Sequence, residues 1–191
     1  MVTETKIDRR ILKTKEAINK AFLELFTEKE LDRITVNDIA ERANVNRGTI
    51  YLHYTDKYDL LNKCIEDHLS KMFDSCLSIE YSLEQTDWIS ALKPAFVYFK
   101  ENYLFFSSML SNNRTTVFRE RMLHNFAANI QVKIHMQNIN QGMDKELITQ
   151  FMSSAFVGTV EWWILNKMPH SPQFMAEQVW RLFERNDIYP S

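Results

Sequence analysis

The chain has 191 residues, 45% of them hydrophobic, with only 3 glycines and 4 prolines. That is enough apolar material for a buried core, which excludes disorder as the default, and too few turn formers for an all-β sandwich or a phosphate-cradling α/β sheet. A formal net charge of -2 excludes global attraction to nucleic acid, so such binding has to come from local geometry.

Taken in chain order, the apolar set Ile11, Ile18, Phe22, Leu25 and Phe26 recurs at helical spacing over Asp8–Lys29 and predicts a first amphipathic helix. Arg9, Arg10, Lys13, Lys15 and Lys20 crowd that stretch, opposed only by Glu16. Thr35 stands three residues before Asp38, as in a capping box, and Ile39, Ala40 and Ala43 give a short second helix its apolar face. Asn44 tolerates a left-handed backbone and Val45 can plug between helices, so a tight helix-helix turn is expected there. Asn46 offers an N-cap for a third short helix, Arg47–Tyr54, and Asp56 with Asp59 marks the start of a fourth. Leu61, Ile65, Leu69, Met72 and Cys76 stripe that fourth helix, which the polar stretch Ser82–Asp87 ends.

Further on, the aromatic-rich stretch Trp88–Leu110 reads as one helix, with Pro94 either in a first turn or at a kink. Arg114–Asn138 and Asp144–Lys167 are two more helical stretches, joined by a linker containing Gly142, and Ser171-Pro172 opens a last helix that runs to Arg185. The chain carries no internal repeat. These elements predict an all-α fold of about nine helices. Residues 1–60 form the expected helix-turn-helix domain and 61–191 a helical regulatory and dimerisation domain, with the seam within 50–80 and the fourth helix bridging both.

Cys64 and Cys76 fall on one expected helix, roughly 18 Å apart at ~1.5 Å rise per residue, too far to pair. No N-terminal apolar signal region and no run of about 18 apolar residues occurs, so neither export nor a membrane partner is expected. A reducing, cytoplasmic setting follows. His68, His124, His135 and His170 show no ligand spacing to one another or to a cysteine, so neither metal nor cofactor is expected. The glycine-rich phosphate loop and Gly-x-Ser-x-Gly elbow that would point to an enzyme are missing too.

The segment Thr35–Leu61, TVNDIAERANVNRGTIYLHYTDKYDLL, strongly resembles the DNA-binding domain of the TetR family of bacterial regulators. The resemblance rests on Thr35, Ile39-Ala40, Asn44-Val45, Thr49-Ile50-Tyr51, His53-Tyr54 and Lys57 with Leu60-Leu61, and it covers residues 8–65. Glu30 and Asn44 stand where the family usually has glycine. The wording NRGTIYLHYTDKYDLL is most similar to the subgroup that includes dihydroxyacetone-kinase operon regulators. By this resemblance the third helix reads the DNA major groove, and Thr35, Tyr51, His53 and Lys57 hold phosphates. Arg47 and Thr49 are placed to meet base edges, Gly48 to let the backbone approach, and Asn46 begins the reading segment. Tyr51 and Tyr54 have an alternative reading as core aromatics, and His53 as a solvated residue.

Phe96, Phe99, Tyr103, Phe106, Met109, Phe118, Met122, Phe126 and Met152 are by default packing, and alternatively the lining of a ligand cavity. Phe151, Ala155, Phe156, Thr159, Trp162 and Trp163, followed by Phe174, Val179, Trp180 and Phe183, are too apolar for two terminal surface helices. A four-helix interface with a twin subunit explains them, with burial inside the protomer as the alternative. The function expected is a homodimeric regulator, a repressor on a palindromic double-stranded operator, controlled by a small-molecule effector or partner protein sensed in the C-terminal bundle. The rival is a coactivator of the same fold acting through protein contacts.

Overall fold

A computed structural model describes residues 9–77, 88–111, 116–133 and 142–185. Among the described residues the regular structure is helical, and the chain divides into two compact units, Met1–His68 and Leu69–Ser191, with the division inside one long helix.

In the first unit α1 spans Arg9–Glu28 and buries Ile18, Ala21, Phe22, Leu23, Leu25 and Phe26. Its opening turns stay exposed, Ile11 and Leu12 included, so Ile11 does not join the core as its spacing suggests. A 3-10 turn, Leu31–Arg33, leads into α2, Val36–Arg42. Helix α2 starts at Thr35 through a reciprocal capping box: the Thr35 hydroxyl accepts from the Asp38 N–H, and the Asp38 carboxylate accepts from the Thr35 N–H. It ends as anticipated at Asn44, whose φ is 52°, with the Val45 N–H donating to the Ala40 carbonyl in a Schellman closure.

Helix α3 covers only Arg47–Tyr51, three residues shorter than expected. The His53 and Tyr54 N–H groups both donate to the Ile50 carbonyl, so the chain tightens out of the helix there. Helix α4, Lys57–Leu77, is capped by Asp56, which accepts from the N–H groups of Tyr58 and Asp59. The core of this unit is fully buried Ile18, Phe22, Ile34, Ile39, Ile50 and Leu60.

The second unit contains α5 (Trp88–Glu101), α6 (Tyr103–Ser111), α7 (Thr116–Lys133), α8 (Lys145–Leu165) and α9 (Pro172–Arg185), with α5 against α9 and both α6 and α7 against α8. The single helix expected over Trp88–Leu110 is two, divided at Asn102, whose backbone N–H and side-chain amide both donate to the Tyr98 carbonyl. Pro94 lies inside α5 rather than in its first turn. Asp144 and Ser171 cap α8 and α9. The break at Ser82–Asp87, His135 and the end of the stretch to Asn138 lie outside the described residues. No described helix is long and apolar enough to cross a membrane.

Rings fill the middle of this unit. Phe99 and Phe106 lie 4.7 Å apart edge to face, Phe105 and Phe106 5.0 Å, Phe105 and Phe118 5.6 Å, and Phe126 and Phe156 4.4 Å. Phe96 meets Phe99, Phe156 and Trp163. Of the nine residues considered for a cavity, Phe96, Phe99, Phe106, Met109, Phe118, Met122 and Met152 are fully buried, and Tyr103 is 38% exposed and outside the cluster. Buried hydroxyls of Ser108, Thr149 and Ser153 donate to carbonyls one turn back. The ring contacts favour the packing reading.

The ten residues considered for a twin-subunit interface divide between two directions. Phe156, Trp163, Val179 and Phe183 are buried within the protomer, Trp163 at 0% exposure, so these four belong to its own core. Phe151, Ala155, Trp162 and Phe174 are exposed, Trp162 at 49%, and Thr159 and Trp180 are half-buried. Neighbours on a helix differ by about 100° in direction, so adjacent pairs such as 155–156 and 162–163 cannot share a face. The outward stripe is instead Leu147, Phe151, Ala155, Gly158, Trp162 and Leu165 on α8, with Phe174 and Leu182 on α9.

Candidate nucleic-acid interface

Short helices need their ends satisfied by side chains, because only a few internal hydrogen bonds hold them. Helix α3 meets this need through Asn46, whose side-chain oxygen accepts from the Gly48 N–H at 2.9 Å. Ile50 is the residue of α3 that faces the core. Asn46, Arg47 and Gly48 are exposed, Thr49 is half-buried, and Tyr51 is 47% exposed, which removes the core reading for Tyr51. Tyr54 takes it: it is buried, and its hydroxyl donates to Asn19 Oδ1 at 3.1 Å. Burial, with added repulsion from nearby acidic groups, pushes the Tyr54 phenol up to about 12.

Arg47 and Tyr51 meet one turn apart on the exposed side. The guanidinium donates to the Tyr51 hydroxyl at 3.2 Å and lies 5.5 Å from the ring centroid. That contact uses one N–H of a five-donor fork, leaving a planar array suited to guanine edges or phosphate oxygens. No carboxylate occurs between Asn46 and His53.

Several cations of the supporting elements are matched locally. Arg42 forms a two-pronged pair with Glu28 at 2.8 and 2.9 Å and approaches Glu24, Lys63 pairs with Asp59 at 2.9 Å, and Lys29 pairs with Asp38 at 2.7 Å. Hydrogen bonding from Arg42 holds the Glu28 carboxyl below its usual range. Hydrogen bonds from Lys29 and Thr35 hold Asp38 down at about 2. The carboxylates of Glu24, Glu28, Asp38 and Asp59 are thus committed to support, while the reading segment carries Arg47 and no carboxylate.

Thr35 is exposed at the start of α2, its hydroxyl occupied as a cap acceptor but still able to donate. His53 is half-buried against Tyr54, and its carbonyl accepts from Lys63. Lys57 differs from the rest: its ammonium donates to the carbonyls of Leu31, Asp32 and Ile34. Leu52, absent from the sequence reading, is 79% exposed beside Tyr51. Its position four residues after Gly48 puts it on the same helix face, a spacing from which it could have been found.

Residues 18–64 match the family described as bacterial regulatory proteins, tetR family, and residues 86–185 a transcriptional regulator C-terminal region. An uncharacterized HTH-type transcriptional regulator of Bacillus subtilis, YxbF, is 27% identical over 92% of this chain and 46% of its own length. The chain therefore spans under half of that relative. The biofilm operon icaADBC HTH-type negative transcriptional regulator IcaR of Staphylococcus epidermidis is 25% identical over 72% of this chain and 69% of its own. Among solved structures, the dihydroxyacetone kinase operon activator DhaS superimposes with a TM-score of 0.65 over 93% of this chain and 98% of its own, at 20% identity, which is a likeness of fold.

Proposed function

This chain belongs to the TetR family of bacterial transcriptional regulators, and from that membership we propose that it is a cytoplasmic repressor that binds an inverted-repeat operator as a homodimer. The observation that carries this reading is α3: a capped helix with Arg47, Gly48 and Tyr51 exposed and one apolar residue, Ile50, anchoring it from behind. Arg47 and Thr49 read base edges, and Thr35, Tyr51 and His53 hold the flanking phosphates. The name of the IcaR relative supports the negative sign of regulation.

The outward stripe of α8 and α9 supports the dimer, since exposed Phe151, Trp162 and Phe174 are an unusual load for a protein surface. Two-fold symmetry would present two copies of α3 to grooves about 34–36 Å apart. An effector, either a small molecule or a partner protein, acts on the C-terminal unit and biases DNA affinity through α4, which contributes residues to both units.

Selection from a randomised duplex library with the purified protein tests this reading. Enrichment of an inverted repeat with half-sites one helical turn or a multiple apart is expected. Failure to enrich any duplex refutes the repressor reading and favours regulation by protein contact.

A further inference from the structure

The ammonium group of Lys57 is met by the protein's own backbone. Nζ donates to the carbonyl oxygens of Leu31 at 2.8 Å, Asp32 at 3.0 Å and Ile34 at 2.9 Å. A lysine ammonium has three N–H donors and no acceptor, so these three carbonyls match its whole donating capacity. They belong to the short connection between α1 and α2, where a single 3-10 turn gives the backbone few partners of its own. The far side of the same connection is held as well. Asp38 Oδ2 accepts both the Thr35 N–H at 2.8 Å and Lys29 Nζ at 2.7 Å.

We propose that Lys57 is a positioning residue that fastens the α1–α2 connection to the first residue of α4, fixing the start of α2 and, through the Asn44 turn, the pose of α3, and that it neutralises no phosphate. Moving this ammonium to a phosphate would strip three carbonyls of a donor, two of these bonds being partly buried. Lysine is specific to the task. Its compact head can aim three donors at converging oxygens, whereas the planar fork of arginine matches phosphate better and a converging triad worse. The DNA-based part of the test rests on the regulator reading above.

Full-length protein, Lys57→Met and Lys57→Arg are titrated against a mixed-sequence DNA duplex over a range of salt concentrations, with far-UV circular dichroism confirming that each is folded at the assay temperature. Both variants are expected to bind about tenfold more weakly, the scale of one or two lost hydrogen bonds, with the salt slope of the parent retained. A general loss of stability would leave the affinity of the folded protein unmoved. A slope reduced by about one in Lys57→Met, or full rescue by Lys57→Arg, overturns the proposal. So does parental affinity in Lys57→Met.

Should either variant fail to fold, the unsubstituted chain decides. Its Lys57 ammonium protons are expected to be protected from solvent exchange without DNA and unchanged on adding the duplex. Rapid exchange, or a shift on adding duplex, overturns the assignment. If the unsubstituted protein binds no duplex, the regulator reading fails separately, and the protection of those protons without DNA still judges Lys57.

Discussion

Helices α2 and α8 both begin on a side chain that accepts a backbone N–H three residues on, Thr35 in one and Asp144 in the other, yet they are held in place by different means. Around α2 the contacts are directional: a capping box, the Lys29–Asp38 pair, the Arg42–Glu28 fork and the Schellman closure at Asn44. Around α8 they are collective, with Phe156 and Trp163 wedged against Phe96 and Phe126. Directional contacts fix the orientation of a small exposed helix without needing a large core. Collective packing makes the loss of one ring costly but leaves the outer face of α8 free to carry apolar residues.

The sharpest way to break this comparison is to substitute the two neighbouring tryptophans. Trp163→Ala should destabilise by about 3–5 kcal/mol in chemical unfolding, because it removes a fully buried ring and the hydrogen bond from its Nε1 to the His170 carbonyl. Trp162→Ala should barely change unfolding of the protomer while weakening self-association in sedimentation. Equal effects in both assays would reject the inward and outward assignment.

In the N-terminal unit the largest effect is expected on binding rather than on stability. Arg47→Ala should cost about 1–3 kcal/mol of operator affinity with an unchanged melting temperature, since its contacts are exposed and confined to Tyr51. Next, Thr35→Ala should lose about 1 kcal/mol of stability through half of the capping box. Asp38 adds a pH signature. Its carboxyl sits at about 2 in the folded chain against an ordinary 3.8, so the folded state resists protonation. The stability it contributes is complete above about pH 4 and is lost as pH falls toward 2. Asp38→Asn should flatten that part of an acid denaturation profile, and an identical profile would remove Asp38 from the account.

The smallest effect, and one of opposite sign, is Gly48→Ala. A Cβ there would meet only Asn46 Oδ1 at 3.6 Å, so helix propensity should raise stability by up to about 1 kcal/mol. The added methyl would stand on the exposed reading side and should weaken DNA binding. A variant that gains stability and keeps full affinity would show that α3 approaches DNA less closely than its backbone permits.

What was legible in the sequence follows the same division. The caps at Thr35, Asn46, Asp56 and Ser171 and the left-handed turn at Asn44 are each decided by one side chain acting on nearby backbone, so the local sequence carries them. The facing of α8 was not legible, because the helix is apolar on most sides and its sequence does not distinguish Trp162 from Trp163. The break at Asn102 is hidden in an aromatic run that reads as continuous helix. Lys57 was hidden for another reason: its acceptors are backbone carbonyls more than twenty residues earlier, and carbonyls have no sequence signature. Family resemblance pointed that lysine at phosphate, whereas its distances point it inward.

The central claim, that α3 is the element that reads DNA, is tested most directly by mapping amide shifts of the isotopically labelled protein as a selected duplex is added. The account predicts that the perturbed amides centre on Asn46–His53 and the start of α2, with α8 and α9 unmoved at DNA concentrations that saturate binding. Saturable binding with α3 unperturbed and the shifts placed elsewhere would contradict it.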